Sequence, residues 1–120
     1  MTTEALSAIT LVTADMAASV AFYEVLDAPI AFGGVDSEFT TFVLAPEAFL
    51  NLQLDRSWTP SRSWGRFIVW VDDVDAVHAS FVAAGYRPSM APSDAPWGER
   101  YFHITDPAGH ELSIARRLVE

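Results

Sequence analysis

The sequence predicts an α+β domain made of two βαβββ modules, and two observations carry this prediction. The first is the segment from Gly65 to Gly85, which has the pattern of one buried strand followed directly by one amphipathic helix. The second is a copy of that pattern near the N-terminus, from Ala8 to Leu26. Two copies are too few for a solenoid, so the repeat indicates a duplicated, pseudo-symmetric domain.

In the second copy, Phe67–Val71 is an unbroken apolar run, which is typical of a buried strand. Asp72 and Asp73 follow, and we expect Asp73 to cap a helix because its carboxylate accepts from free backbone amides. Gly85 is expected to end this helix, since glycine readily adopts the left-handed conformation. One helical face is predicted by the i, i+3, i+4, i+7 spacing of Val74, Val77, His78 and Phe81.

The first copy aligns with the second when Asp15 is placed on Asp73. This alignment predicts a strand over Ala8–Thr13 and a helix over Asp15–Leu26, with Asp15 as a second cap. It also pairs residues that are expected to be equivalent: Met16 with Val74, Tyr23 with Phe81, and Ala8 with Arg66.

Each half then continues with three more strands. The first half has a short strand before Gly33–Gly34 and two longer strands joined at Pro46–Glu47. The second half is assigned a short strand in YRPSM and two strands joined by the turn DPAGH. We predict one domain over residues 1–120, with modules at about 5–55 and 65–117 and a linker at 56–64.

Composition excludes several classes of protein. A chain of 120 residues with 51% hydrophobic and 19% charged residues is expected to fold as one globular domain. The absence of cysteine excludes a disulfide framework and a thiolate site. A net charge of −9, with arginine as the only strongly basic residue type, disfavours nucleic-acid binding. With no apolar run of about 20 residues and no signal-peptide pattern, we expect a cytoplasmic protein without a membrane partner.

Three stretches resemble the vicinal oxygen chelate superfamily: LVTADMAASVAFYEVL, FIVWVDDVDAVHASFVAAG and PWGERYFHITDPAGHELSI. This superfamily includes glyoxalase I, extradiol dioxygenases, fosfomycin-resistance enzymes and bleomycin-binding resistance proteins. The resemblance implies a curved mixed sheet whose cup holds a ligand. It also implies a homodimer, in which a partner chain completes the cup.

The resemblance implies where a catalytic metal would bind in such a fold. In metal-dependent members two His and a Glu line the cup, and their positions correspond here to Ala8, Arg66 and Ser113. An additional Glu of some relatives would fall near Gln53, taken as the repeat counterpart of Ser113. A methyl group, a guanidinium and neutral oxygens are unsuitable ligands for a divalent metal, so we predict no metal and no cofactor.

The favoured hypothesis is therefore a metal-free protein that binds a small organic ligand, aromatic or charged, with antibiotic binding and resistance as one possibility. Aromatic side chains favour planar or cationic ligands. Trp70 is equally open to a packing or interface role, as are Trp58 and Trp64 of the linker. The candidate ligand-binding residues are Thr10, Gln53, Arg66, Trp70, Trp97, Tyr101, His103 and Ser113.

The alternative is a lyase, isomerase or dioxygenase of the same superfamily with a divergent site. His103 is its candidate acid or base, because it shares strand parity with Tyr101, whereas His78 and His110 lie in a helix and a turn. A lone histidine on a strand is more often a hydrogen-bonded structural residue, and that interpretation stays open for His103. Arg66, if it points into the cup, needs a carboxylate such as Glu99, Glu111 or Asp55, or an anionic ligand. At the rim it would instead reach solvent.

Overall fold

A computed structural model describes residues 1–60 and 63–118. It confirms the predicted α+β fold class with two βαβββ modules. The backbone forms two compact units, 1–59 and 60–120, which divide inside the predicted linker 56–64. Ser61 and Arg62 of that linker lie outside the described part of the chain.

The first unit consists of β1 (Ala8–Thr13), α1 (Met16–Glu24), β2 (Ile30–Phe32), β3 (Phe39–Ala45) and β4 (Ala48–Leu54). The second unit consists of β5 (Arg66–Trp70), α2 (Val74–Ala83), β6 (Ser93–Asp94), β7 (Glu99–Thr105) and β8 (Glu111–Arg117). The strand orders are β1-β4-β3-β2 and β5-β8-β7-β6. In each sheet the first strand pairs in parallel with the last, and the other pairs are antiparallel.

Both helices begin where the aspartates predict. The Asp15 and Asp73 carboxylates each accept a backbone N–H three residues on, at 3.0 Å. Helix α1 ends at Glu24, two residues before the predicted Leu26. Beyond Glu24 the backbone hydrogen bonds join residues three apart, as from Val25 N to Phe22 O, which is the 3₁₀ pattern. Helix α2 ends at Ala83, and Gly85 follows with φ +97°.

The core of the second unit lies between α2 and one face of its sheet. Phe102, Ile104, Leu112 and Ile114 alternate along β7 and β8 and are almost fully buried. The ring of Phe81 from α2 meets the Phe102 ring edge-on, with centroids 6.3 Å apart. Because strand side chains alternate between faces, the opposite face of the sheet lies outside this core, and its Arg66, Ile68 and Trp70 side chains are exposed.

The prediction of a short strand in YRPSM was wrong. Residues 86–90 contain no strand, and the short strand β6 is instead Ser93–Asp94, paired with Tyr101 and Arg100. Pro88 explains the difference, because proline has no N–H to donate to a neighbouring strand. The DPAGH turn was predicted correctly: Gly109 N donates to Asp106 O at 3.0 Å, and Gly109 has φ +95°.

The α2 cap yields a stability prediction. Asp73→Ala removes the oxygen that accepts from Ala76 N, so we expect the free energy of unfolding to fall by about 1 kcal/mol. Asp73→Asn keeps an accepting oxygen and is expected to lose less than half as much. Urea denaturation followed by circular dichroism measures both values, and equal losses in the two variants would contradict the capping role.

Candidate functional site

The exposed face of the second sheet carries a cavity of about 320 Å³. The strand register explains its composition, because Ile68 of β5 and His103 of β7 both pair with Ser113 of β8. Side chains two residues away on each strand point to the same face. The cavity is lined by Arg66, Ile68, Trp97, Glu99, Tyr101, His103, Ser113 and Ala115.

Arg66, His103 and Ser113 form a connected polar cluster in this cavity. The Arg66 Nη1 atom lies 2.8 Å from His103 Nε2 and 3.4 Å from His103 Nδ1, alongside the ring edge that holds both nitrogens. The Ser113 Oγ atom lies 2.7 Å from His103 Nδ1. A guanidinium can only donate, and it is closer to Nε2, so it favours the tautomer with its lone pair on Nε2 and its proton on Nδ1. In that tautomer Nδ1–H donates to Ser113.

The surroundings of His103 lower its pKa and so favour the neutral ring. Burial lowers the pKa of His103 from its ordinary value of 6.5, and the positive charge of Arg66 lowers it further. The Glu111 carboxylate opposes this shift and raises the pKa by a smaller amount. Glu111 is also the ion-pair partner of Arg66, with 3.8 Å between Oε1 and Nε. The Arg66 side chain is 44% exposed, so this pair contributes little to stability.

An aromatic row continues from the polar cluster along β7. The rings of Tyr101 and His103 have centroids 5.1 Å apart, and those of Trp97 and Tyr101 are 6.1 Å apart. Trp97 is 69% exposed, so most of its ring is free to contact a ligand. Its indole Nε1 donates to Glu99 Oε1 at 3.3 Å. One wall of the cavity is therefore aromatic, and its far end carries a carboxylate.

The structure brings together five of the eight candidate ligand-binding residues, namely Arg66, Trp97, Tyr101, His103 and Ser113. Trp70 lies on the same strand as Arg66 but outside the cavity lining. It is 51% exposed, and the Arg117 guanidinium lies 5.9 Å from its ring centroid. Arg66 meets Glu111, one of its three predicted carboxylate partners, and also reaches solvent.

Thr10 and Gln53 belong to the first unit. There Thr10 accepts from the Asn51 amide nitrogen at 3.1 Å, and Thr41 donates to the Asn51 oxygen at 2.7 Å. The strand register corrects one pairing from the sequence: Ala8 is opposite Phe49 and Arg66 is opposite Glu111. The counterpart of Ser113 is therefore Asn51, and Gln53 corresponds to Ala115.

Asn51 and Ala115 were missed as members of the two polar faces. The alternation of FLNLQL could have identified Asn51, because Asn51 is two residues from Gln53 and therefore lies on the same face of the strand. Ala115 follows Ser113 by two residues for the same reason. Neither residue type draws attention by itself, because alanine has no reactive group and asparagine is common on exposed strands.

The polar cluster of Arg66, His103 and Ser113 does not fit a catalytic metal ion. Arg66 brings a permanent positive charge to within 2.8 Å of the only imidazole of the cluster, and Ser113 binds the other ring nitrogen. Ala8, in the first unit, offers no donor atom. Among residues 1–60 and 63–118, no group of three or more His, Cys, Asp or Glu side chains is arranged to hold a metal ion.

The two βαβββ units define a duplicated α+β protein. The sheet of the second unit carries an open cavity lined by polar and aromatic side chains. The model of the Glyoxalase/Bleomycin resistance protein/Dioxygenase superfamily matches residues 5–114, so the chain belongs to this superfamily. This confirms the resemblance seen in the sequence. Comparison with curated proteins found no match.

Solved structures show the same fold at low sequence identity. A bleomycin resistance determinant encoded on transposon Tn5 is 20% identical, with a TM-score of 0.77 and coverage of 97% of this chain and 100% of that one. A bleomycin-binding protein complexed with bleomycin is 22% identical, with a TM-score of 0.73 and coverage of 96% and 99%. A lactoylglutathione lyase from Agrobacterium tumefaciens is 20% identical, with a TM-score of 0.73 and coverage of 94% and 93%. No helix in the described ranges is long and apolar enough to cross a membrane.

The lowered pKa of His103 predicts how the stability of the protein changes with pH. Below pH 6.5 the unfolded chain protonates this histidine before the folded protein does, so stability from the neutral ring is present above pH 6.5 and is lost as the pH falls towards the folded pKa. We expect NMR titration to give His103 a midpoint below 6.5. The midpoint should rise in Arg66→Gln and fall further in Glu111→Gln.

Arg87→Gln is the matched control for this titration, because Arg87 is an exposed arginine outside the cavity lining. It removes the same charge and should leave the His103 midpoint unchanged. The His103 signal is identified by its loss in His103→Gln. A midpoint at or above 6.5 in the unmodified protein would contradict the electrostatic description.

Proposed function

We propose that this protein binds a small organic molecule on the exposed face of its second sheet, without a catalytic metal. One observation carries the proposal: both ring nitrogens of His103 are engaged by neighbours inside the cavity, Nε2 by Arg66 and Nδ1 by Ser113. A histidine in this arrangement organises a binding surface, and it has no free nitrogen for metal ligation.

The same arrangement argues against the alternative of an enzyme with His103 as acid or base. A general base needs an accessible lone pair and a pKa near the working pH. Arg66 lies against Nε2, and burial together with the Arg66 charge lowers the pKa of His103. Both effects reduce the proton affinity of the ring, and the Arg66 guanidinium lies where a substrate proton would have to approach Nε2.

The cavity has the features of a complementarity site. It combines an aromatic wall, formed by Trp97 and Tyr101, with a few polar groups at fixed positions. Flat ring faces bind planar molecules by stacking, while the polar groups select orientation. Among the structures with this fold, one is a bleomycin-binding protein and another a bleomycin resistance determinant. Our proposal therefore includes an antibiotic as one class of ligand that this protein sequesters.

A homodimer in the cytoplasm completes the proposal. Strand β5 is an edge of its sheet, and its Ile68 and Trp70 side chains are 60% and 51% exposed. An exposed apolar edge of this kind is suited to contact with a second copy of the chain. Size-exclusion chromatography with light scattering measures the oligomeric state directly.

We expect metal analysis of the purified protein to find less than stoichiometric divalent metal. The melting temperature should also stay the same in EDTA, Zn²⁺ or Mn²⁺, because metal binding to the folded state alone would raise it. Stoichiometric metal, with a melting temperature that falls in EDTA, would defeat the metal-free proposal.

We expect a tryptophan-fluorescence screen of planar compounds to find ligands that lose at least about 10-fold in affinity in Trp97→Ala. Trp97→Phe keeps a flat ring and should bind more tightly than Trp97→Ala. Silence across the screen, together with a catalytic turnover that His103→Ala abolishes, would favour the enzyme instead.

A further inference from the structure

We infer that the ligand is a planar monocarboxylate whose oxygens accept hydrogen bonds from Ser113 and Arg66, with His103 as the residue that positions both donors. This inference rests on the proposed function and names the chemical class of its ligand. It follows from the direction of the hydrogen bonds in the polar cluster.

The hydrogen-bond directions in the cluster follow from Arg66, because a guanidinium can only donate. With the lone pair of His103 on Nε2, the Nδ1–H group donates to Ser113 Oγ across 2.7 Å. The Ser113 hydroxyl then acts as an acceptor for His103 and retains its own hydrogen. Within residues 1–60 and 63–118, His103 is the only hydrogen-bond partner of the Ser113 side chain. The hydroxyl hydrogen is therefore available to an acceptor in the cavity.

Ser113 is only 5% exposed, which makes this free hydrogen significant. A hydroxyl on the open surface donates to bulk water at no cost. A nearly buried hydroxyl that lines a cavity reaches only what enters that cavity. A ligand oxygen that meets it replaces one ordered water and gains a hydrogen bond in a partly desolvated site.

Arg66 supplies the second donor at the same end of the cavity. Only its Nη1 atom approaches His103, and the Glu111 oxygen at 3.8 Å from Nε is beyond hydrogen-bond distance. The guanidinium has five N–H groups, so several remain for a ligand. Two converging donors, one of them cationic, match a carboxylate better than a single neutral acceptor.

The opposite end of the cavity explains why one acidic group is expected and not two. Glu99 lies four residues from His103 on β7, on the order of 13 Å along the strand. Its carboxylate is held by Trp97 and would repel a second anionic group at that end. The Tyr101 ring lies between the two ends along β7 and the Trp97 ring lies 6.1 Å from it, so we expect the body of the ligand to be planar and apolar.

Four probes with one ring system test the inference by isothermal titration calorimetry at pH 7.5. We expect 2-naphthoate to bind more tightly than 2-naphthamide, and 2-naphthamide more tightly than 2-naphthylmethylammonium. The dianion 2,6-naphthalenedicarboxylate should bind more weakly than 2-naphthoate. Equal or tighter binding of the ammonium probe overturns the inference but leaves the proposed function standing.

Substitutions locate the donors. Ser113→Ala should weaken 2-naphthoate binding about 10-fold or more, because a hydrogen bond to a charged group is lost, while Ser113→Thr keeps the hydroxyl and loses less. Glu111→Gln should strengthen 2-naphthoate binding about 2- to 5-fold by removing a competing charge. Tighter binding cannot result from misfolding of the variant, because misfolding would weaken binding. Arg87→Gln is the charge-matched control and should change nothing.

The positioning role of His103 has its own readout. Imidazole nitrogen chemical shifts should show the Nδ1–H tautomer in the unmodified protein, because Arg66 donates to Nε2 and Ser113 accepts from Nδ1. An Nε2–H tautomer overturns the inference, as does an unchanged preference for naphthoate over naphthamide in Ser113→Ala. Failure of all four probes to bind also overturns it, while the fluorescence screen of planar compounds decides the proposed function separately.

Discussion

The chemistry of the second unit depends on one contact, the approach of the Arg66 guanidinium to the His103 ring. Burial lowers the pKa of His103, a permanent cation 2.8 Å from Nε2 lowers it further, and the same cation favours a lone pair on that nitrogen. In the Nδ1–H tautomer that this contact favours, the Ser113 hydroxyl accepts from His103 Nδ1 at 2.7 Å and keeps its own hydrogen for the cavity. Arg66 and Ser113 thereby present hydrogen-bond donors to the cavity, with His103 between them.

The contact exists because the scaffold is a duplicated strand pairing with different side chains in its two copies. In both units the first strand pairs in parallel with the last, with Ala8 opposite Phe49 and Arg66 opposite Glu111. The first unit fills its exposed polar row with neutral groups that bond to one another, namely Thr10, Asn51 and Thr41. The second unit has Ile68, Ser113 and His103 at the equivalent positions, and Arg66, two residues before Ile68, reaches the His103 ring. The same backbone thus carries a row of neutral groups that bond to one another in one copy, and in the other a histidine that is met by an arginine from outside the row.

Much of this fold was predictable because its signals are local. The two aspartate caps, the glycine after α2 and the DPAGH turn each act within a few residues of themselves, and all are present where they were predicted. The strand assigned to YRPSM was wrong because the repeated order of elements was given more weight than Pro88. The error about Gln53 has a different origin: an alignment anchored on the helix caps does not determine strand register across an intervening loop.

The candidate site was predictable in part. Period-two alternation correctly placed Tyr101 and His103 on one face of a strand, whereas Arg66 and Ser113 were singled out as positions implied by the family resemblance. Sequence could not choose among three carboxylates for Arg66, nor join it to His103, because the two lie on strands separated by a third strand, β8.

The sequence by itself determined the duplicated βαβββ plan, the helix caps and the chemical unsuitability of Ala8, Arg66 and Ser113 as metal ligands, since these follow from residue type and short-range spacing. Only the tertiary structure decided that Arg66 meets His103 and that Ser113 is buried beside it. Those relations arise from cross-strand register, which brings together residues 37 and 10 positions apart through backbone hydrogen bonds.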